Sequence, residues 1–218
     1  MSETPRQNAL LGLLSDASIP SPIAKNDDAH FAALGRFVVD YATAEAVVHM
    51  LARALSGMSD EKARAVFGGM RLSDIAERVR AMLRINNAPP ETFSEVDACL
   101  SHLDVIAERR HKIVHRSVAY DGIDSLQVTN ILTAKSLASV ELEVFKKEDL
   151  EAMSEDCQRI FLRLTYVENP SKLALVPETF PTFLRRPWRY TPPPRASRKK
   201  QLPKARTAQP LPQPSSAE

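Results

Sequence analysis

Apolar residues recur at spacings of three and four along most of the chain, and the pattern changes in one place. Leu34, Val38, Tyr41, Val48, Ala52 and Leu55 form one stripe, which predicts a long amphipathic helix from about residue 29. Gly57 suits its C-terminal cap. Ser59 followed by Asp60 and Glu61 starts a short second helix, because a hydroxyl and then carboxylates suit a helix N-terminus. A third helix covers about 72–83, with Ile75, Val79 and Met82 or Leu83 inward, and Asn86-Asn87-Ala88-Pro89 breaks it. Pro90 opens the fourth, whose stripe is Phe93, Val96, Leu100, Leu103, Ala107 and Val114. The period then becomes two. Val118 and Tyr120 precede an Asp121-Gly122 turn, a second strand is expected at 126–131, and Val140, Leu142 and Val144 alternate with Glu141, Glu143 and Phe145. A last helix from about Glu148 carries Leu150, Met153, Cys157, Ile160, Leu164 and Val167 inward and stops at Asn169-Pro170.

These elements predict a mainly α fold, a helical bundle over residues 29–169 with a small antiparallel β insertion at about 117–146. Residues 1–28, rich in Ser, Pro, Asn and Asp, read as a flexible arm, and 170–218 as a Pro-rich, largely disordered tail. Eleven of the 16 prolines lie from Pro170 onward, so the tail is compositionally distinct from the body. It also has its own charge. Ten Lys and Arg face two Asp and Glu from residue 170, leaving 19 against 25 for the rest, so a tail of +8 follows a body of −6. Such asymmetry points to an anionic partner for the tail or to a solubilising role. Cys99 and Cys157 both fall on apolar stripes, as buried free thiols in a reducing compartment would. No apolar run approaches a membrane span, and the apolar stretch at 9–14 is too short and poorly flanked for a secretion signal. A cytoplasmic protein without a membrane partner is expected.

The chemistry concentrates at the end of the fourth helix, in Arg109-Arg110-His111-Lys112-Ile113-Val114-His115-Arg116. Arginine offers a permanent charge on a fork that fits phosphate. Histidine exchanges a proton near neutral pH. Together they suit RNA cleavage, with His taking the 2′-hydroxyl proton and Arg stabilising the charge that grows on phosphorus-bound oxygens. Five residues along a helix turn the side chain by about 140° net, so Arg110 and His115 do not share a face. They converge if the helix deforms, through the reach of Arg, or across a dimer. The plain alternative is a solvated helix end, where basic residues are favoured by the helix dipole.

This segment resembles the R-x4–6-H signature of the HEPN superfamily (higher eukaryotes and prokaryotes nucleotide-binding). The family usually has Asn after the Arg, where this chain has His111. A long first helix with an internal Glu, the motif late in a later helix, a β insertion and a closing helix are also similar, over about residues 29–168. The resemblance implies a HEPN-like dimeric bundle and a metal-independent endoribonuclease, as in toxin–antitoxin, phage-defence or RNA-processing systems. It equally implies inactive relatives that bind RNA or assemble complexes. Arg110 and His115 would carry catalysis, with His111 auxiliary. No cofactor is implied. RNA, a second copy, and an antitoxin or regulatory protein are the expected partners.

Glu45, also auxiliary, falls within the first helix's stripe, where a carboxylate needs a partner such as Arg110 or His111, or else a route to solvent. His111 and His115 are too few for a metal site, and Asp104 lies more than a turn away. There is no Gly-rich phosphate loop, nucleophile elbow or Cys–His signature. His49 and His102 read as ordinary surface or interface residues. In the tail, Phe183, Trp188 and Tyr190 interleave with Arg185, Arg186 and Arg189. With Arg109, Lys112 and Arg116 these cations and Trp188 are candidate RNA contacts, the aromatic face stacking on bases. The alternative for 180–190 is that it packs back on the body. Three functions thus stand side by side: a HEPN-type endoribonuclease, a non-catalytic RNA-binding or regulatory module, and an assembly protein with no RNA role.

Overall fold

The computed structural model describes residues 27–120, 125–136, 139–168, 184 and 186–193. The N-terminal arm, the Asp121-Gly122 turn, Phe183, Arg185 and most of the Pro-rich tail lie outside these residues. Among the described residues, five helices and three strands follow in the predicted order: α1 Asp27–Ser56, α2 Asp60–Phe67, α3 Leu72–Ile85, α4 Pro90–His115, β1 Ser117–Tyr120, β2 Ser125–Thr129, β3 Leu142–Lys146 and α5 Lys147–Glu168. The predicted punctuation operates. Gly57 takes a positive φ of 63° after α1, Asn87 takes 51° after α3, and Pro90 begins α4, where its missing N–H is no loss.

α1 packs chiefly along α5 and on its other flank against α3, while α4 closes the layer against α3 and α5. This double coverage changes which α1 residues are core. Phe37, Ala44, Val47, Val48, Leu51 and Ala52 are buried to 1% or less, whereas Leu34, Val38 and Leu55 of the expected stripe only pack at its edge. A helix with neighbours on two sides buries an arc wider than one stripe, and the arc's centre is set by where those neighbours sit. On α4 the buried face is Val96, Cys99, Leu100, His102, Leu103, Ile106, Arg109 and Ile113. Val114, expected inward, is 44% exposed. On α5 the buried Leu150, Met153, Cys157, Ile160 and Leu164 follow the expected stripe. Both cysteines are free and buried.

The sheet is an antiparallel meander in the order β1-β2-β3. Val128 lies opposite Glu143 and Leu126 opposite Phe145, so these four share one face. Leu126, Val128 and Phe145 are buried, and Leu142 and Val144 point outward at 62% and 47% exposure. The phase of β3 therefore sends Glu143, not its apolar neighbours, toward the helices.

Residues 186–190 pack back onto the helices, as the second reading of that stretch anticipates, through a clasp built on Asp156. This α5 carboxylate has no exposed surface. It accepts hydrogen bonds from His102 Nε2 of α4 at 2.8 Å, from the amides of Arg189 and Tyr190 at 2.9 and 2.8 Å, and from Arg159. Arg159 also donates to the carbonyls of Arg186 and Pro187, each at 2.9 Å. Trp188 lies flat on His102, ring centroids 4.4 Å apart and 5° from parallel, with the Arg159 and Arg163 guanidinium groups 5.2 and 4.7 Å from its centroid. His102 is thus 9% exposed and part of the interior, where a surface or interface residue was expected. A buried carboxylate requires this many donors, and local helix spacing cannot reveal a partner more than 50 positions away.

Burial alone would push the Asp156 carboxyl up, but the hydrogen bonds from His102, the two amides and Arg159 outweigh it and hold it below its ordinary value. A depressed carboxylate stabilises the fold fully above the unfolded value, and that stabilisation is lost as pH falls through the folded one. Asp156→Asn is therefore expected to cost on the order of 3 kcal/mol at pH 7 by urea denaturation, since it strips a buried cation of its counter-charge. The gap to the native chain should persist from pH 7 to 5 and close only below about pH 4, the unfolded carboxylate value. Closure already between pH 7 and 5 would assign the lock to another group.

Candidate functional site

The basic segment forms the last two turns of α4, and the helix distributes its side chains over three environments. Arg109 continues the core face set by His102 and Ile106 and is only 6% exposed. It pairs with Glu143, which the β3 register aims at the helix, and Lys112 Nζ meets the other Glu143 oxygen at 2.7 Å. Arg116, just past the helix, donates to Glu141 at 2.9 Å. The β insertion therefore neutralises three of the four Lys and Arg residues of this segment.

Arg110 is the exception. Its guanidinium stands 5.5 Å from the ring centroid of Tyr41 on α1, with Nε buried and without a hydrogen-bond partner. Among the described residues it makes no ion pair with a carboxylate. Tyr41 is 5% exposed. Burial first, and then the negative charge of Glu45, push its hydroxyl well above the ordinary range, while Arg110 pulls the other way. Tyr41 therefore stays neutral and presents a ring face to the cation. Glu45 lies half-buried one turn beyond Tyr41, in an open groove of about 390 Å³ with Ala42, Ala46, His49, Met50 and Arg53. Among the described residues no ion pair joins Glu45 to Arg110 or His111; the ion pairs of this segment run to Glu108, Glu141 and Glu143.

His111 and His115 are exposed and adjacent, ring centroids 4.7 Å apart. His115 lines a second open groove of about 270 Å³ together with Val114, Arg116, Ser117, Thr129, Asn130, Leu132 and Thr133. Hydroxyl and amide groups of β1, β2 and the turn after it thus surround a histidine whose ring reaches water. Arg110 faces α1 and His115 faces the sheet, following the turn of about 140° that five helical residues impose. Within one chain the structure brings His111 to His115 and Arg110 to Tyr41, but the two pairs diverge. No cluster of three or more His, Cys, Asp or Glu residues suited to a metal ion occurs among the described residues.

The candidate contacts of the C-terminal segment have structural partners. Trp188 is stacked against His102 and approached by the guanidinium groups of Arg159 and Arg163. Arg189 Nη1 donates to Glu155 at 2.7 Å, Arg186 offers its carbonyl to Arg159, and Arg185 lies outside the described residues. The sequence reading gave Tyr41 a place in the core but not as the partner of Arg110, and Asp156 and Arg159 escaped it altogether. Asp156 did leave a signal, an acidic residue beside Cys157 and three past Met153 on a strongly apolar face. No helix among the described residues is long and apolar enough to cross a membrane. No family model, characterised protein or solved structure matches this chain.

Glu143→Ala would leave Arg109 buried without its counter-charge. A loss of about 3 kcal/mol is expected in thermal or urea unfolding. Glu141→Ala, which removes an exposed pair, should cost under about 1 kcal/mol. Equal effects would mean that Arg109 reaches water.

Proposed function

We propose that the chain is a metal-independent endoribonuclease of the HEPN type, in which Arg110 binds the scissile phosphate and His115 exchanges the proton. The supporting observation is the division of the basic segment: Arg109, Lys112 and Arg116 are paired with carboxylates, while Arg110 is left without one among the described residues. An uncompensated guanidinium held in place by an aromatic ring is prepared for a phosphate. In the reaction, the ribose 2′-oxygen attacks phosphorus and the 5′-oxygen of the next nucleotide leaves. A histidine takes the 2′-hydroxyl proton, and an acid returns one to the leaving oxygen. The products carry a 2′,3′-cyclic phosphate and a 5′-hydroxyl. His111, beside His115, is suited to orient it or relay the proton.

This reading requires a second copy, because Arg110 and His115 point apart in one chain. The outer face of α1 is suited to receive it. Gly35, Val39, Ala42, Ala46 and Met50 are exposed and form an outer apolar stripe opposite the core, with Val39 at 63% and Met50 at 50%. Small residues let two helix backbones approach closely, and the stripe runs past Tyr41 and Glu45, next to Arg110. A second reading, a non-catalytic RNA-binding module, is favoured by the divergence itself: a protein that never pairs the two residues across copies binds RNA without cutting it. An antitoxin or other regulatory protein would be a further partner in either case.

Purified protein with excess EDTA is expected to cleave mixed cellular RNA, leaving cyclic phosphate ends. His115→Ala and Arg110→Ala, folded by circular dichroism, should each lower the rate at least about 100-fold. Intact RNA that nevertheless binds would select the non-catalytic module, and RNA that neither binds nor breaks would sink both. In sedimentation equilibrium the native chain should be a dimer and Ala46→Glu a monomer. A monomeric native chain would remove the shared site.

A further inference from the structure

Cleavage by a ribose 2′-oxygen moves two protons, and the surroundings of His115 offer few groups to move them. The attacking and leaving oxygens stand in line across phosphorus. One proton is removed and another supplied, each by a group within about 3 Å of its oxygen. The groove that His115 lines holds one other charged side chain, Arg116, which is tied to Glu141 and, as an arginine, gives up no proton. Ser117 and Thr129, paired across β1 and β2, bring only hydroxyls. Among the described residues no carboxylate lines this groove.

The titratable groups elsewhere on α4 are engaged or remote. Lys112 Nζ lies 2.7 Å from Glu143 and 3.6 Å from Glu108. Asp104, whose carboxyl is pushed up by burial, precedes His111 by seven residues, about 10 Å along the helix. Tyr41 is buried beside Arg110, which faces away from His115. His111 is placed differently. It precedes His115 by four residues and so shares its face of the helix. The ring centroids are 4.7 Å apart and the planes 47° from parallel. The rings are tilted instead of stacked, and both residues are exposed, so one phosphodiester can meet both from outside.

We propose that His111 is a second catalytic residue, the general acid that protonates the departing 5′-oxygen, and that acid and base stand one helical turn apart on the same chain. The inference rests on the nuclease reading and completes its proton path. His115 takes the 2′-hydroxyl proton as the 2′-oxygen bonds to phosphorus. The bond from phosphorus to the 5′-oxygen breaks, and protonated His111 delivers its proton to that oxygen. His115 then carries the proton that His111 lacks. Ring contact lets it pass back, so the pair returns to its starting state without an outside donor.

The test is an RNA oligonucleotide in which sulfur replaces one bridging 5′-oxygen, because a thiol is far more acidic than an alcohol and its thiolate leaves without a proton. The native chain, His111→Ala, His111→Gln and His115→Ala, each folded by circular dichroism, are compared in EDTA on this probe and on the matching unmodified RNA. On unmodified RNA all three variants are expected to fall at least about 100-fold. On the sulfur probe both His111 variants should return to within severalfold of the native chain, while His115→Ala stays at least about 100-fold down. Glutamine still forms hydrogen bonds but has no proton to transfer, so His111→Gln separates donating from orienting. The proposal is overturned if either His111 variant cuts unmodified RNA at the native rate. It is also overturned if both stay as slow on the sulfur probe as on RNA, which would make His111 an orienting group and keep the nuclease. Mixed His111→Ala and His115→Ala chains should regain nothing, since no copy then holds both rings. Recovered cleavage would set acid and base on different copies and overturn the one-chain pair. A native chain that cuts neither probe would sink the nuclease reading and the proposal with it.

Discussion

A carboxylate with no exposed surface must be met by donors on every side, and the way Asp156 is met orders much of this molecule. His102 brings α4, Arg159 keeps the charge balanced within α5, and two backbone amides bring a segment more than 30 positions downstream. None of these partners could be exchanged for water at that depth. The carboxylate thereby fixes the rotation of α4 against α5 and the path of the chain from Arg186 to Tyr190.

That rotation decides the fate of the basic segment. With His102 turned inward, Arg109, two turns on, is turned inward as well, and β3 supplies Glu143 to meet it. Arg110 is carried round to Tyr41 and His115 to the open groove beside β2. One short stretch of sequence thus performs two tasks. Its buried cation and Lys112 fasten the insertion to the helix, and its remaining Arg and two His keep their chemistry available. With Arg109, Lys112 and Arg116 paired to carboxylates, the segment is more than a simple solvated helix end.

The aromatic residues near the C-terminus illustrate a related economy. Trp188 interleaved with arginines has the composition of a base-stacking surface, yet its ring is engaged by His102, Arg159 and Arg163. Stacking energy that could have served a ligand instead fixes the segment to the body.

By itself the sequence determined the number, order and type of the elements, because three-to-four and two-residue periodicities are properties of the local backbone and need no knowledge of neighbours. It also singled out Arg110, His111 and His115 as candidate site residues, by residue type alone. The tertiary structure decided which of two adjacent positions faces inward: Phe37 instead of Val38, Arg109 instead of Arg110, Phe145 instead of Val144. Angular phase depends on how many partners cover a helix, and strand phase on the register of its neighbour, and both are long-range facts. The separation of Arg110 from His115 was legible from helix geometry. The partnership of Arg110 with Tyr41, and of Asp156 with His102 and the amides of Arg189 and Tyr190, was not, because it joins residues that only packing brings together.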